Sequence, residues 1–156
     1  MRKDLGLIIQ EAHASGLVLD LITNGTMVDD YFLKKNRKYI QHLAISIDGL
    51  KQVHEYLRGK DTYGESIQSI KKVLDAGIDL SVYITVHSLN ENSLGLLMEE
   101  LISIGVRCLH FNEINMEGRA SKHQYLLLEQ EDVFDKLSRI VSQFEQIVEI
   151  GLVSHD

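Results

Sequence analysis

The sequence predicts an α/β fold built on a parallel sheet of repeated βα units, and three observations carry that prediction. Four short apolar stretches rich in β-branched residues recur along the chain. Amphipathic helical patterns separate them. Gly and Asn punctuate the joins, and the chain contains no Pro.

A helical pattern comes first, with Leu5, Ile8, Ile9 and Ala12 on one face. The first apolar stretch, LVLDLIT (17–23), runs into Asn24-Gly25, a pair that tolerates a left-handed turn. Thr26 can cap the following helix, with Asp29 at its third position, or this segment can touch a ligand beyond the strand. HLAISID (42–48) is the second stretch and ends at Gly49. Residues 62–77, TYGESIQSIKKVLDAG, place Ile67, Ile70 and Leu74 on one face, behind a capping box of Thr62 and Glu65 and before a stop at Gly77.

LSVYITV (80–86) is the third stretch. Asn90 can cap the next helix, whose buried face is Leu94, Leu97, Met98, Leu101 and Ile102, and Gly105 ends it. VRCLHFN (106–112) is the fourth. Val133, Leu137, Ile140, Val141 and Phe144 mark a closing helix, and IVEIGLVS (147–154) is a candidate fifth strand. Right-handed crossovers would bring every strand's carboxyl end to one edge, where α/β folds bind ligands.

That edge carries the candidate site residues. Ser46 and Asp48 alternate to the same side; they either stabilise a turn or, in a curved sheet, offer a hydroxyl and a carboxylate to a polar ligand. Arg58 is either a bidentate clamp for carboxylate or phosphate, or a surface cation paired with Glu55 or Asp61. His110, Asn112, Glu113, Asn115 and Glu117 precede Gly118-Arg119. A strand turns His110 and Glu113 to opposite faces, which disfavours a metal pair; Asn112 and Asn115 can set a turn, and Glu113 or Glu117 can meet a polar substrate.

Composition bounds the function. With 156 residues the chain is sized for one domain, residues 1–156. A net charge of -7, from 23 acidic and 16 basic side chains, argues against nucleic acid as a partner. No apolar run approaches a membrane span, and a cytoplasmic location is expected. Cys108 is the single cysteine, which excludes an internal disulfide and any multi-cysteine metal or iron-sulfur site made by these residues alone. A Walker loop, G-x-G-x-x-G, a nucleophile elbow and H-E-x-x-H are all absent.

Taken in order, LITNGTMV, AISIDG, HEYLRG, TYGESIQSIKKVLDAGI, VYITVHSLNENS and LHFNEINMEGRA resemble radical S-adenosylmethionine enzymes, in the branch that includes peptide-maturing enzymes and the molybdenum-cofactor enzyme that rearranges GTP. The resemblance covers residues 17–120. It implies a partial, TIM-like (β/α)6 barrel holding S-adenosylmethionine and a four-iron four-sulfur cluster on its upper inner surface, with about four of its strands, the third to sixth, in this chain. It also implies that Asn24 lies near the cofactor pocket, Ser46 and Asp48 near its ribose or amino-acid end, and Arg58 near its carboxylate. Val86 and adjoining backbone would enclose adenine, and Asn112, Glu113 and Gly118 would close the site.

In such enzymes the cluster's electron cleaves the cofactor to a 5′-deoxyadenosyl radical, which abstracts hydrogen from the substrate, here an unidentified small molecule or peptide. The family's C-x3-C-x2-C segment and its Gly-Gly-Glu-like stretch are not found in these residues. The chain is therefore expected to be a truncated radical SAM-like domain, a fragment of an oxidoreductase or maturase that holds no cluster and is inactive alone. The alternatives are a cluster-free binding or assembly module that self-associates through exposed sheet edges, and an unrelated βα-barrel segment whose turns happen to match.

Overall fold

The computed structural model describes residues 4–114, 120–128 and 130–153. In order, the elements are α1 (Leu5–Ala14), β1 (Asp20–Thr23), α2 (Asp30–Asn36), β2 (His42–Ser46), α3 (Lys51–Arg58), α4 (Thr62–Asp75), β3 (Asp79–Thr85), α5 (Leu94–Ser103), β4 (Cys108–Asn112), α6 (Gln130–Phe144) and β5 (Glu149–Val153). All five expected strands form; β3 matches its apolar stretch in length, displaced by one residue, and the other four are shorter than theirs.

The strands pair in parallel in the order β1-β2-β3-β4-β5. That order decides between the two parallel-sheet architectures. A doubly wound sheet reverses direction at a switch point and covers both faces with helices; a sequential order with right-handed crossovers puts every helix on one face, as in a barrel.

Burial agrees with the barrel. On the helix side, Leu43, Ile45, Ile47, Val82, Ile84 and Leu109 are fully buried against Ile70 of α4 and Leu97, Met98 and Leu101 of α5. Burying each such side chain is worth about 1.5–3 kcal/mol. The opposite face is polar. Ser46, Tyr83, His110 and Gly151 form one register row across it, and none of the four is fully buried. Parallel sheets are ordinarily apolar on both faces, so a polar, half-open face is one that no second helix layer covers.

Local chemistry departs from the sequence reading at the helix starts. Asp29, not Thr26, caps α2, and its Oδ1 accepts the Phe32 N–H at 2.7 Å. Thr62 is already inside α4; its hydroxyl reaches back to the Gly59 carbonyl at 2.6 Å, and no side chain caps at Asp61. Asn90 does not cap α5, which starts four residues later. The segment 51–58 forms a helix of its own, α3, that the apolar pattern does not define.

The buried face of α4 is also rotated from the expected one. Ser66 and Ser69 lie inside, while Ile67 and Leu74 are only partly buried. Ser66 Oγ donates to the Asn24 carbonyl at 2.6 Å, and Ser69 Oγ donates to those of Gly25 (2.7 Å) and Val28 (3.1 Å). The loop after β1 thus seats its carbonyls on α4 hydroxyls, and close approach requires glycine at position 25. Gly25 has φ of +83°, and an added Cβ would stand 3.3 Å from the Ser66 Cα. No helix among the described residues is long and apolar enough to cross a membrane.

Candidate ligand site at the strand ends

Parallel register brings the expected site residues to one rim. Thr23 pairs with Ile45, which sets Asn24 level with Ser46. Ser46 pairs with Tyr83, and two residues further on Thr85 pairs with Asn112. The Thr85 N–H donates to Asp48 Oδ1 at 3.4 Å, which ties Asp48 to that upper level. The carboxyl ends of β1, β2 and β4 therefore deliver Asn24, Ser46, Asp48 and Asn112 to the same edge.

Asp48 is the hub of this rim. Its carboxylate Oδ2 accepts from Arg58 Nε at 2.5 Å, with the two side chains 11% and 29% exposed. Arg58 comes from the last turn of α3, so this one helix carries the cation back over the end of β2. The surface pairing with Glu55 or Asp61 considered for it is replaced by this partly buried one.

The Asp48 backbone is held as firmly. Its N–H donates to His54 Nδ1 at 3.2 Å, and its carbonyl accepts from His87 Nε2 (3.1 Å) and Asn90 Nδ2 (2.9 Å). Asn90 also donates to the Thr85 carbonyl at 2.8 Å and accepts the His87 N–H at 2.9 Å. This is what Asn90 does in place of capping. Gly49 allows the turn: it has φ of +151°, and a Cβ there would come within 2.9 Å of Val53 Cγ1.

Both histidines are buried and uncharged. Burial lowers the pKa of His54 to about 4, against the opposing pull of the Asp48 carboxylate. It lowers that of His87 as well, again opposed by Asp48. The hydrogen bonds fix the tautomers. His54 Nδ1 must be bare to accept an amide proton, and His87 Nε2 must carry a proton to donate to a carbonyl.

The remaining expected residues fall as follows. Asn24 is exposed, and its Oδ1 accepts from the N–H (3.3 Å) and hydroxyl (3.1 Å) of Thr26, a local turn. Val86 is buried in the helix-side core, and its N–H donates to the Asn112 carbonyl at 2.9 Å, so its backbone is what reaches the rim. Asn112 ends β4 with its side-chain oxygen buried and unpartnered among the described residues. Glu113 follows on the exposed side. Gly118, like Asn115 and Glu117, lies outside the described residues.

Below the rim the inner wall is chemically quiet. His110 stacks on Tyr83 with ring centroids 4.7 Å apart, and its Nε2 lies 3.4 Å from Cys108 Sγ. Burial and the Glu149 carboxylate push the Cys108 thiol up, away from the thiolate that would react or bind metal. No group of three or more His, Cys, Asp or Glu among the described residues is arranged to hold a metal ion.

The sequence profile of the Radical SAM superfamily matches residues 1–101. The chain belongs to the radical SAM superfamily. It is 25% identical over 111 residues to a serine-type anaerobic sulfatase-maturating enzyme of Klebsiella aerogenes, covering 69% of this chain and 27% of that protein. It is 32% identical over 81 residues to the sporulation killing factor maturation protein SkfB of Bacillus subtilis, covering 51% and 20%. Among solved structures, Streptococcus suis SuiB bound to its precursor peptide SuiA superposes with a TM-score of 0.81 at 11% identity, covering 97% of this chain and 35% of that one. SuiB bound to S-adenosylmethionine gives 0.77 at 12% identity, covering 99% and 36%. These likenesses show the fold, a radical SAM partial barrel. The chain spans about a third or less of the length of these relatives.

The rim suits one of the two groups that the radical SAM family uses. S-adenosylmethionine presents a carboxylate, an ammonium and a ribose diol; the rim presents a guanidinium fork, a serine hydroxyl and the unpartnered buried Asn112 oxygen. The cluster does not fit these residues. It needs several thiolates, and the chain has one cysteine, set in β4 with a raised pKa.

Proposed function

We propose that these residues form the S-adenosylmethionine-holding part of a radical SAM oxidoreductase or maturase. The observation that carries the reading is the Asp48–Arg58 pair at the carboxyl end of β2, between Ser46 and Asn112. Arg58 uses its Nε–H edge on Asp48, which leaves its terminal NH2 groups as the fork for the amino acid's carboxylate. The Ser46 hydroxyl and the Asn112 amide would take ribose or amino-acid polar atoms. The Val86 backbone would border the adenine, with Asn24 and Glu113 at the margins. When bound, the cofactor supplies a carbon-sulfur bond whose reductive cleavage starts hydrogen abstraction from the substrate.

What the protein contributes is orientation. The fixed guanidinium pre-sets the carboxylate's position, and the apolar layer behind β2 and β3 keeps the rim rigid. The substrate would sit against the half-open inner wall. Maturation of a peptide is the favoured case, because the relatives include proteins named as maturation enzymes and SuiB was solved with a precursor peptide. The exposed Ile22, at 72%, and Met27 near the outer edge of β1, which pairs only with β2 among the described residues, support pairing of that edge with another chain or a second copy.

Two measurements test this. Calorimetric titration of the 156-residue chain with S-adenosylmethionine should give saturable heat that Arg58→Ala and Ser46→Ala diminish; no heat with the parent chain overturns the reading. Anaerobic reconstitution followed by iron and sulfide analysis should give no stoichiometric cluster, and the chain alone should not cleave the cofactor. A stable four-iron cluster per chain would refute that second part.

A further inference from the structure

His54 and His87 take no part in the ligand contacts proposed above, yet each is at most 2% exposed, and both bond to the same residue. His54 arrives from α3, four residues before Arg58 and therefore on the same helical face. His87 arrives from the turn after β3, where Leu89 N–H donates to its Nδ1 at 3.2 Å and fixes the ring.

We infer that His54 and His87 are positioning residues, which hold the Asp48 backbone at its amide and its carbonyl and so aim Arg58 at the ligand's carboxylate. The inference rests on the reading of the rim as an S-adenosylmethionine site. Three features support a positioning role over plain core filling. Both rings aim a directional bond at the Asp48 backbone, and His87 is oriented for it by the Leu89 N–H on its other nitrogen. An apolar side chain would fill either volume without the cost of burying a polar ring. Finally, His54 and Arg58 ride on the same two turns of α3, so the bond to the Asp48 amide sets the depth at which Arg58 meets Asp48 Oδ2.

The test uses conservative substitutions that restore one atom at a time. His54→Leu removes the acceptor, whereas His54→Asn returns an oxygen at the Nδ1 position. His87→Leu removes the donor, whereas His87→Gln returns an N–H near Nε2. In the nitrogen-15-labelled chain the Arg58 Nε–H resonance reports the ion pair without any ligand. Calorimetry with S-adenosylmethionine reports its use.

Each leucine variant should move the Arg58 signal toward that of a free guanidinium and weaken binding at least tenfold; the Asn and Gln variants should restore both. An unchanged Arg58 signal in the leucine variants overturns the inference, as does failure of Asn and Gln to restore it. If the parent chain gives no heat while the Arg58 signals follow the expected pattern, the site reading falls and the clamp on Asp48 stands. Should His54→Leu lose its cooperative melt, His87→Leu carries the same comparison from the other side of Asp48.

Discussion

Asp48 and Arg58 are ten residues apart in sequence and share an Nε–Oδ2 hydrogen bond of 2.5 Å at the end of β2. On the proposed function the planar fork matters, because one edge holds Asp48 and the other would take the cofactor's carboxylate. Lysine has a charge but no second edge. Arg58→Lys is therefore expected to keep most of the stability and lose at least tenfold in S-adenosylmethionine affinity. Arg58→Ala strips a partly buried carboxylate of its cation as well, at about 1–3 kcal/mol. Urea titration and calorimetry separate the two effects.

Stability should fall in mild acid because of His54. Its pKa is about 4 in the fold and 6.5 in an unfolded chain, so between these values the unfolded state binds more protons. The stabilisation is complete above pH 6.5 and is lost progressively as pH falls toward 4; the full shift corresponds to about 3 kcal/mol. His87 is shifted in the same direction and adds to the slope. Urea midpoints at pH 7 and pH 4.5 measure it, and His54→Asn should flatten the difference.

The strands and the shared rim are legible in the sequence because a parallel sheet writes itself as apolar runs with polar tips; that pattern leaves the strand order open between a doubly wound sheet and a barrel, and the order comes from the structure. Asn24, Ser46, Asp48 and Asn112 follow from that rule alone. What stays hidden is who partners whom. Nothing in HEYLRG says that Arg58 reaches back to Asp48, because that depends on α3 lying across the strand end. His54 and His87 read as unrelated histidines for the same reason: a buried hydrogen bond across 39 residues leaves no local signal. The departures at the helix caps have a simpler cause. Thr26, Thr62 and Asn90 are competent caps by type, but other acceptors and donors claim each of them first.

Ser69 offers a test of the loop that carries Asn24. Its one hydroxyl proton is shared between the carbonyls of Gly25 and Val28, and the side chain is 5% exposed. Ser69→Ala leaves both acceptors without that donor, at a cost of about 1–3 kcal/mol. Ser69→Cys, which keeps a weak donor in nearly the same volume, should fall between. Thermal melts of the three proteins give the order, and an alanine variant as stable as the parent would remove Ser69 from the loop's support.

The last strand is fitted to its neighbour by a missing side chain. Gly151 pairs with His110 across β4 and β5, and a Cβ at Gly151 would overlap the His110 ring. The ring cannot simply swing clear, because Tyr83 stacks on it. Gly151→Ala should therefore destabilise the fold by about 1–3 kcal/mol, the usual cost of overpacking a tight site. In a His110→Ala background the same substitution has room and should cost little. The double-mutant cycle measures that coupling, which should reach about 1 kcal/mol or more if the His110 ring sets the register of β5. Additive effects of the two substitutions would show that the strand is placed by its backbone bonds and by the α6 packing instead.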